Sequence, residues 1–204
     1  AGGELLLHIG VTLYETVLGF VLGTAAGTLI AITLWWSPAI NRVLDPYLVV
    51  LNALPKIALG PILIVWFGAG ITSIIVMALL ISFVVTIMSV LAGFNEITGE
   101  KQLLMKTLGA SKLQIFTMVV LPASLPTIMN ALKISVGMSW VGVIVGEYLV
   151  SKAGLGYLIV YGGQVFKLDL VMASIVVLCL LAALMYYGVA YMEKKLVKWR
   201  MHGG

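Results

Sequence analysis

The chain has 204 residues, of which 62% are hydrophobic and 10% charged, with a formal net charge of +4. An average soluble domain carries about 25% charged residues, so this composition excludes a water-soluble protein and makes the lipid bilayer the main solvent. The cations fall between apolar segments rather than clustering with aromatic or polar readers, which excludes a nucleic-acid face. The single cysteine, Cys179, leaves no disulfide framework and no cysteine metal cluster; lying in an apolar run, it reads as a packing residue.

Taken in order, the chain opens on Ala1-Gly2-Gly3 without a basic segment or a small-residue cleavage site, so no signal peptide is read there. A membrane-crossing helix needs about 20 mostly apolar residues. Five stretches qualify, at about 13–36, 46–67, 71–94, 123–149 and 169–192. Tyr14 and Trp35-Trp36 bracket the first; on a helix they stand ~32 Å apart, the spacing of two interfacial aromatic belts. Within it Gly19, Gly23 and Gly27 recur every four residues. They leave one face without side chains, for close packing inside the subunit or for a seam between subunits.

The second stretch contains Leu54-Pro55-Lys56 and Gly60-Pro61. Each proline removes a backbone donor and clashes with the preceding turn, and in lipid such a break is tolerated only where protein or a water-filled cavity covers it. Lys56 sits at that break, where it either lines a pathway or interface, or serves a local structural role. The stretch 123–149 carries Lys133 and Glu147, ~21 Å apart along a helix and about 40° apart around it. Glu147 reads either as a gate or path residue or as a cap or ion-pair partner. Gly142 and Gly146 narrow the helix beside it, bordering a path or packing against a neighbour.

Segment 95–122 is too rich in helix formers to be a plain connector. Glu100 to Leu108 reads as a short helix, Gly109 fits the left-handed residue that ends one, and Ser111-Lys112-Leu113-Gln114 has the form of a capping box that starts another, which Pro122 is expected to interrupt. With its exposed Leu and Lys residues, this knob either lies on the membrane or docks into a partner. Lys and Arg are retained on the cytoplasmic side of membrane proteins. Arg42, Lys101, Lys106, Lys112, Lys194, Lys195, Lys198 and Arg200 share one side against Lys152 and Lys167 on the other. Segment 95–122 and the C-terminus are therefore expected in the cytoplasm. Five spans then place residue 1 outside, and a further helix before it is expected.

Catalysis has little support. Gly137-Met138-Ser139-Trp140 resembles a serine-nucleophile core, but a serine needs a base, and the only histidines are His8 and His202 at the chain ends. No phosphate-cradling Gly-x-x-x-x-Gly-Lys-Ser/Thr loop exists, nor any Gly-Lys pair, so ATP has to be handled by another protein.

At the 95–122 loop the sequence resembles the inner-membrane permeases of bacterial ABC importers. Their cytoplasmic signature is Glu-Ala-Ala, three residues, Gly, nine residues, Ile or Val, one residue, Leu-Pro. Here Gly109 is followed by nine residues and then Val119-Val120-Leu121-Pro122, while the Glu-Ala-Ala positions hold Leu103-Leu104-Met105. Leu54-Pro55-Lys56-Ile57-Ala58-Leu59-Gly60-Pro61, Trp66-Phe67-Gly68, Gly146-Glu147 and Gly154-Leu155-Gly156-Tyr157 look like the nitrate, sulfonate, taurine and bicarbonate group of these permeases, which also includes carriers of thiamine-type pyrimidines. The likeness runs from about residue 11 to 193.

The resemblance implies an all-α integral membrane domain over 1–204, of the type I ABC importer permease fold, with five transmembrane helices and usually a sixth before them. It implies a bacterial inner-membrane location and a coupling helix that contacts the ATPase through Leu103, Leu104, Met105, Lys106, Gly109, Ala110 and Ser111. Lys56, Lys133, Ser139 and Glu147 are the expected pathway or gate residues. The expected partners are a cytoplasmic ATPase dimer holding ATP and Mg, a second identical or different permease, and an extracytoplasmic binding protein; this chain itself is expected to bind no cofactor or metal. A small anion is the favoured cargo, with a pyrimidine the alternative. An ion-coupled secondary transporter is the rival class.

Overall fold

A computed structural model describes residues 2–97 and 99–197; Lys198, Arg200 and His202 lie outside the described residues. Its described secondary structure is helical throughout: α1 (Gly2–Trp36), α2 (Pro38–Ala53), a 3-10 turn (Lys56–Leu59), α3 (Gly60–Phe67), α4 (Ile71–Asn95), α5 (Gly99–Thr107), α6 (Lys112–Ile115), a π turn (Phe116–Val120), α7 (Leu121–Val150), α8 (Leu155–Gln164) and α9 (Leu168–Val197).

α4 is the centre of the bundle, flanked by α1 and α7. The sequence explains the closeness on both sides. A Cβ at Gly19 would stand 2.7 Å from the Ala78 Cβ, and one at Gly27 2.8 Å from the Thr86 Cβ, with Gly23 set against Ser82 between them. From the other side, a Cβ at Gly142 would meet the Ala78 Cα at 2.5 Å. The Gly19, Gly23 and Gly27 face is thus occupied inside the subunit, and Gly142 and Gly146 pack against Ala78 and Ile74 of α4. Small residues replace the water-driven hydrophobic effect in lipid by letting backbones approach and gain dispersion contact. Thr86 and Ser135 tie α4 to α7 with a buried 2.7 Å hydrogen bond.

At one end, which we call the basic end, Leu34, Phe94, Phe116 and Val120 form the largest apolar core. Trp35 and Phe94 pack on Phe116 at centroid distances of 4.9 and 5.4 Å. Lys112 lies over the Trp35 and Trp36 rings at 5.6 and 5.5 Å and donates to the Trp36 carbonyl at 2.5 Å. One lysine therefore closes the seam between α1 and α6.

Two expectations, those for Pro122 and Cys179, need correction. The stretch 46–67 breaks where its prolines stand: α2 and the 56–67 segment are bent by 85°, as a broken span or a re-entrant loop. Pro55 forces Leu54 into extended backbone, φ −62° and ψ 131°, and Gly60-Pro61 then starts α3 at the position where proline is tolerated. Among the described residues, four helices are long and apolar enough to cross a membrane, or five if the bent pair counts as one. Pro122 does not interrupt its helix. The preceding π turn, closed by Leu121 N–H donating to the Phe116 carbonyl, widens the spiral just ahead of the ring that would otherwise clash, and Lys112–Val150 continues as one candidate span. The connector 150–168 contains α8. Cys179, finally, is exposed on α9, because α9 lies at the edge of the bundle with only 6% of its most apolar window buried.

Candidate functional site

Two constructions stand out, at opposite ends of the bundle. At the basic end, α5 closes in a Schellman motif: Ala110 N–H donates to the Met105 carbonyl and Gly109 N–H to the Lys106 carbonyl, both at 3.0 Å. Gly109 has φ +79°, a conformation that costs any L side chain about 1 kcal/mol or more. The chain then turns into α6 through the expected capping box, with Gln114 N–H on Ser111 Oγ and Ser111 N–H on Gln114 Oε1.

This knuckle sorts the expected coupling residues into two sets. Met105 and Ala110 pack against the apolar core. Leu103 and Leu104, with Lys106, Gly109 and Ser111, are exposed, as are Leu108 and Leu113. Leu103 at 63% and Leu108 at 74% exposure are too apolar to face water alone without reason. Behind the knuckle lies a cavity of about 420 Å³ lined by Trp35, Asn41, Gln102, Lys106 and Lys112 among others.

At the other end, α1, α7 and the start of α8 are knotted by polar side chains. Thr12 Oγ donates to Glu147 Oε1 at 2.6 Å and accepts from Leu155 N–H at 2.8 Å. Gly156 N–H donates to Glu147 Oε2 at 2.5 Å, and Gly154 N–H to His8 Nδ1 at 2.8 Å. His8 also stacks on Tyr157 with centroids 5.8 Å apart. Gly154 has φ +118°, and a Cβ there would run into the Glu147 carboxyl, while one at Gly156 would stand 2.7 Å from Glu147 Oε2. The glycines of the Gly154-Leu155-Gly156 run are therefore required by the carboxylate they enclose.

Beside this knot sits Glu15, fully buried, its two carboxyl oxygens without a hydrogen-bond donor. Glu147 faces it, but two carboxyl groups are both acceptors unless a proton lies between them. Reading the sequence set His8 aside as a chain-end residue and passed over Thr12 and Glu15. A signal existed for the last: it is an acidic residue inside a predicted span, which is costly and marks a site by default.

The expected pathway residues are not brought together; no hydrogen bond or ion pair joins any two of them among the described contacts. Lys133 pairs with Glu193 of α9 at 2.5 Å. Ser139 is buried and donates to the Ser135 carbonyl at 2.9 Å. Lys56 donates to the Asn52 carbonyl at 3.0 Å across the α2–α3 break, and Glu147 is held in the knot just described. His8 is engaged with Gly154 and Tyr157. No cluster of three metal-ligating side chains occurs among the described residues.

Residues 19–198 match the family described as the binding-protein-dependent transport system inner membrane component. The chain belongs to this family. It is 30% identical over 196 residues to the taurine transport system permease protein TauC of Escherichia coli K12, covering 96% of this chain and 70% of that one. It is 31% identical over 193 residues to the formylaminopyrimidine transport permease protein ThiX of Halalkalibacterium halodurans, covering 95% and 77%. In fold it matches the inward-facing MetNI methionine ABC transporter, with a TM-score of 0.83 over 95% of this chain and 96% of that one at 20% identity. The chain is thus a multi-pass inner-membrane permease subunit with the type I ABC importer fold.

Proposed function

We propose that this permease is driven by a separate ATPase that docks on the α5–α6 knuckle, and that it works beside a second permease and an extracytoplasmic binding protein. The observation that carries the reading is the row Leu103, Leu104, Leu108 and Leu113, exposed on a rigid, Gly109-turned helix pair at the basic end. An apolar ridge held by a Schellman motif and a capping box is suited to transmit a push, because both of its helices are capped against fraying. The basic end is then cytoplasmic, as the distribution of Lys and Arg argues.

A second permease is supported by the bent α2–α3 pair. Its non-helical backbone at Leu54–Pro55 carries half-exposed or exposed neighbours, with Val65 and Trp66 strongly exposed, and such a break at membrane depth needs protein or water to cover it. The cargo we propose is a small organic solute of the taurine and sulfonate kind, as the TauC relative favours; a pyrimidine is the second reading, favoured by the ThiX relative. Proteoliposomes holding the permease, its ATPase and its binding protein should take up cargo only with internal or external ATP matched to the ATPase side. Uptake driven by an ion gradient without ATP would defeat this reading in favour of a secondary carrier.

A further inference from the structure

We propose that the cavity behind the α5–α6 knuckle is a site for the headgroup of an anionic phospholipid, a phosphodiester that also carries a hydroxyl, taken from the membrane leaflet at the basic end. Its volume of about 420 Å³ falls within the ~300–1,000 Å³ of small-ligand sites. It is enclosed by the end of α1 at Trp35, the first turn of α2 with Pro38 and Asn41, the end of α4 at Asn95, and the α5–α6 pair. Two of the described lining residues are lysines, Lys106 and Lys112, and none is acidic. Asp45, one turn beyond Asn41, and Glu96, which accepts from Thr127, stand near in sequence but line no part of it.

The lining offers donors to an anion. Lys106 is exposed and has no ion-pair or hydrogen-bond partner among the described residues. Lys112 spends one of its three ammonium protons on the Trp36 carbonyl, and this contact holds it over the two indoles with two protons left to give. α2 begins at the same edge, so the positive pole of its backbone dipole adds to the two ammonium groups. A phosphate oxygen satisfies all of these. Asn41 asks for the complement: its Oδ1 is buried and no donor reaches it, which is costly for as long as it lasts. A hydroxyl carried beside the phosphate supplies that donor, and a glycerol headgroup has both.

The surroundings favour a lipid over a phosphate free in solution. Trp35 walls the cavity, and with Trp36 it forms the kind of aromatic pair that sits at headgroup depth. On α2, Ile40, Val43, Leu44 and Tyr47 follow the i, i+3, i+4, i+7 spacing of one helix face, and each is 39–64% exposed. That apolar stripe starts beside Asn41 and gives acyl chains a track leading from the headgroup, from which a soluble phosphate would gain nothing. Basic pockets between membrane helices hold anionic headgroups by the same charge logic.

The test is native mass spectrometry of the purified permease with its ATPase in a neutral detergent, titrated with phosphatidylglycerol, phosphatidic acid or phosphatidylcholine. Phosphatidylglycerol should bind about tenfold more tightly than phosphatidylcholine, and Lys106→Gln should weaken it about fivefold. Asn41→Leu should weaken phosphatidylglycerol by about the same factor and leave phosphatidic acid, which has no headgroup hydroxyl, as it was. Asn41 carries the test if Lys106→Gln sheds the ATPase. Lys194→Gln combined with Lys195→Gln, exposed on α9 outside the cavity, controls for general attraction to anionic surfaces and should bind as the wild type does. Unfolding midpoints in phosphatidylcholine alone show that each variant is folded. The site is overturned if phosphatidylglycerol binds no better than phosphatidylcholine, if the Lys194 and Lys195 variant loses as much as Lys106→Gln, or if Lys106→Gln and Asn41→Leu bind as the wild type does. Glycerol phosphate that displaces the lipid at equal concentration would overturn the membrane source in favour of a soluble phosphate.

Discussion

Replacing Thr12 with Val removes one hydroxyl from the knot between α1, α7 and α8 while keeping the shape of the side chain. Two long-range hydrogen bonds go with it, the 2.6 Å donation to Glu147 and the 2.8 Å acceptance from Leu155 N–H. Interhelical side-chain hydrogen bonds in membranes average only ~0.6 kcal/mol, because a helix inserted but unpacked also finds partners. That average is the wrong guide here. Leu155 is 0% exposed, so its N–H is left without water or protein, at about 1–3 kcal/mol, and Glu147 loses one of its donors besides. The expected loss is therefore about 2–4 kcal/mol, read as a shift in the unfolding midpoint in mixed detergent micelles. Hydrogen exchange should localise the effect: the Leu155 and Gly156 amides, sheltered in the wild type, should exchange much faster in Thr12→Val while α4 amides remain protected. A variant with wild-type midpoint and wild-type protection at Leu155 would refute the claim that this hydroxyl holds α8 to α1.

Two further outcomes follow from the packing. Gly142→Leu should lower the unfolding midpoint by the equivalent of about 1–3 kcal/mol or more, since its Cβ would meet Ala78 backbone at 2.5 Å, which no rotamer change relieves; Gly137→Leu, where nothing lies within 4 Å, is the control that should remain near wild type. Lys133→Met should destabilise by about 1–2 kcal/mol, between the values for exposed and buried pairs, because the Lys133 and Glu193 side chains are 17% and 24% exposed. The double variant with Glu193→Met should recover most of that loss. Transport lost in the double variant with stability restored would show instead that Lys133 acts on the pathway.

The legible parts of the fold were those set by local rules. Gly109 and Ser111-Lys112-Leu113-Gln114 announced the knuckle, because a left-handed glycine and a capping box are read within five residues. Pro55 announced a break, since proline acts on the residue before it, but the 85° bend depends on how α3 packs on α4 and has no local signature. Pro122 misled for a related reason. Its cost was absorbed by a π turn built from Phe116–Val120, whose residues carry no mark of that geometry.

The polar knot was hidden by distance along the chain. Thr12 and Glu147 are 135 residues apart, and neither the charge of Glu147 nor the glycines at 154 and 156 identifies the other half of the contact. Glycine spacing in α1 and α7 did indicate close approach, but not that α4 receives both faces. Cys179 was placed inside by its habit of burial, whereas in a membrane protein an apolar run faces outward as readily as inward.

Crosslinking at the knuckle tests the central claim most directly. With Cys179 replaced by Ser and Leu104 by Cys, membranes from cells carrying the whole transport system would be treated with a short thiol crosslinker, and the adduct would be identified by mass spectrometry. The account predicts one dominant adduct, between Cys at position 104 and a protein carrying a phosphate-binding loop, with a yield that changes when ATP is bound. A Cys at Leu104 that modifies freely with a soluble maleimide but never joins an ATPase would contradict it.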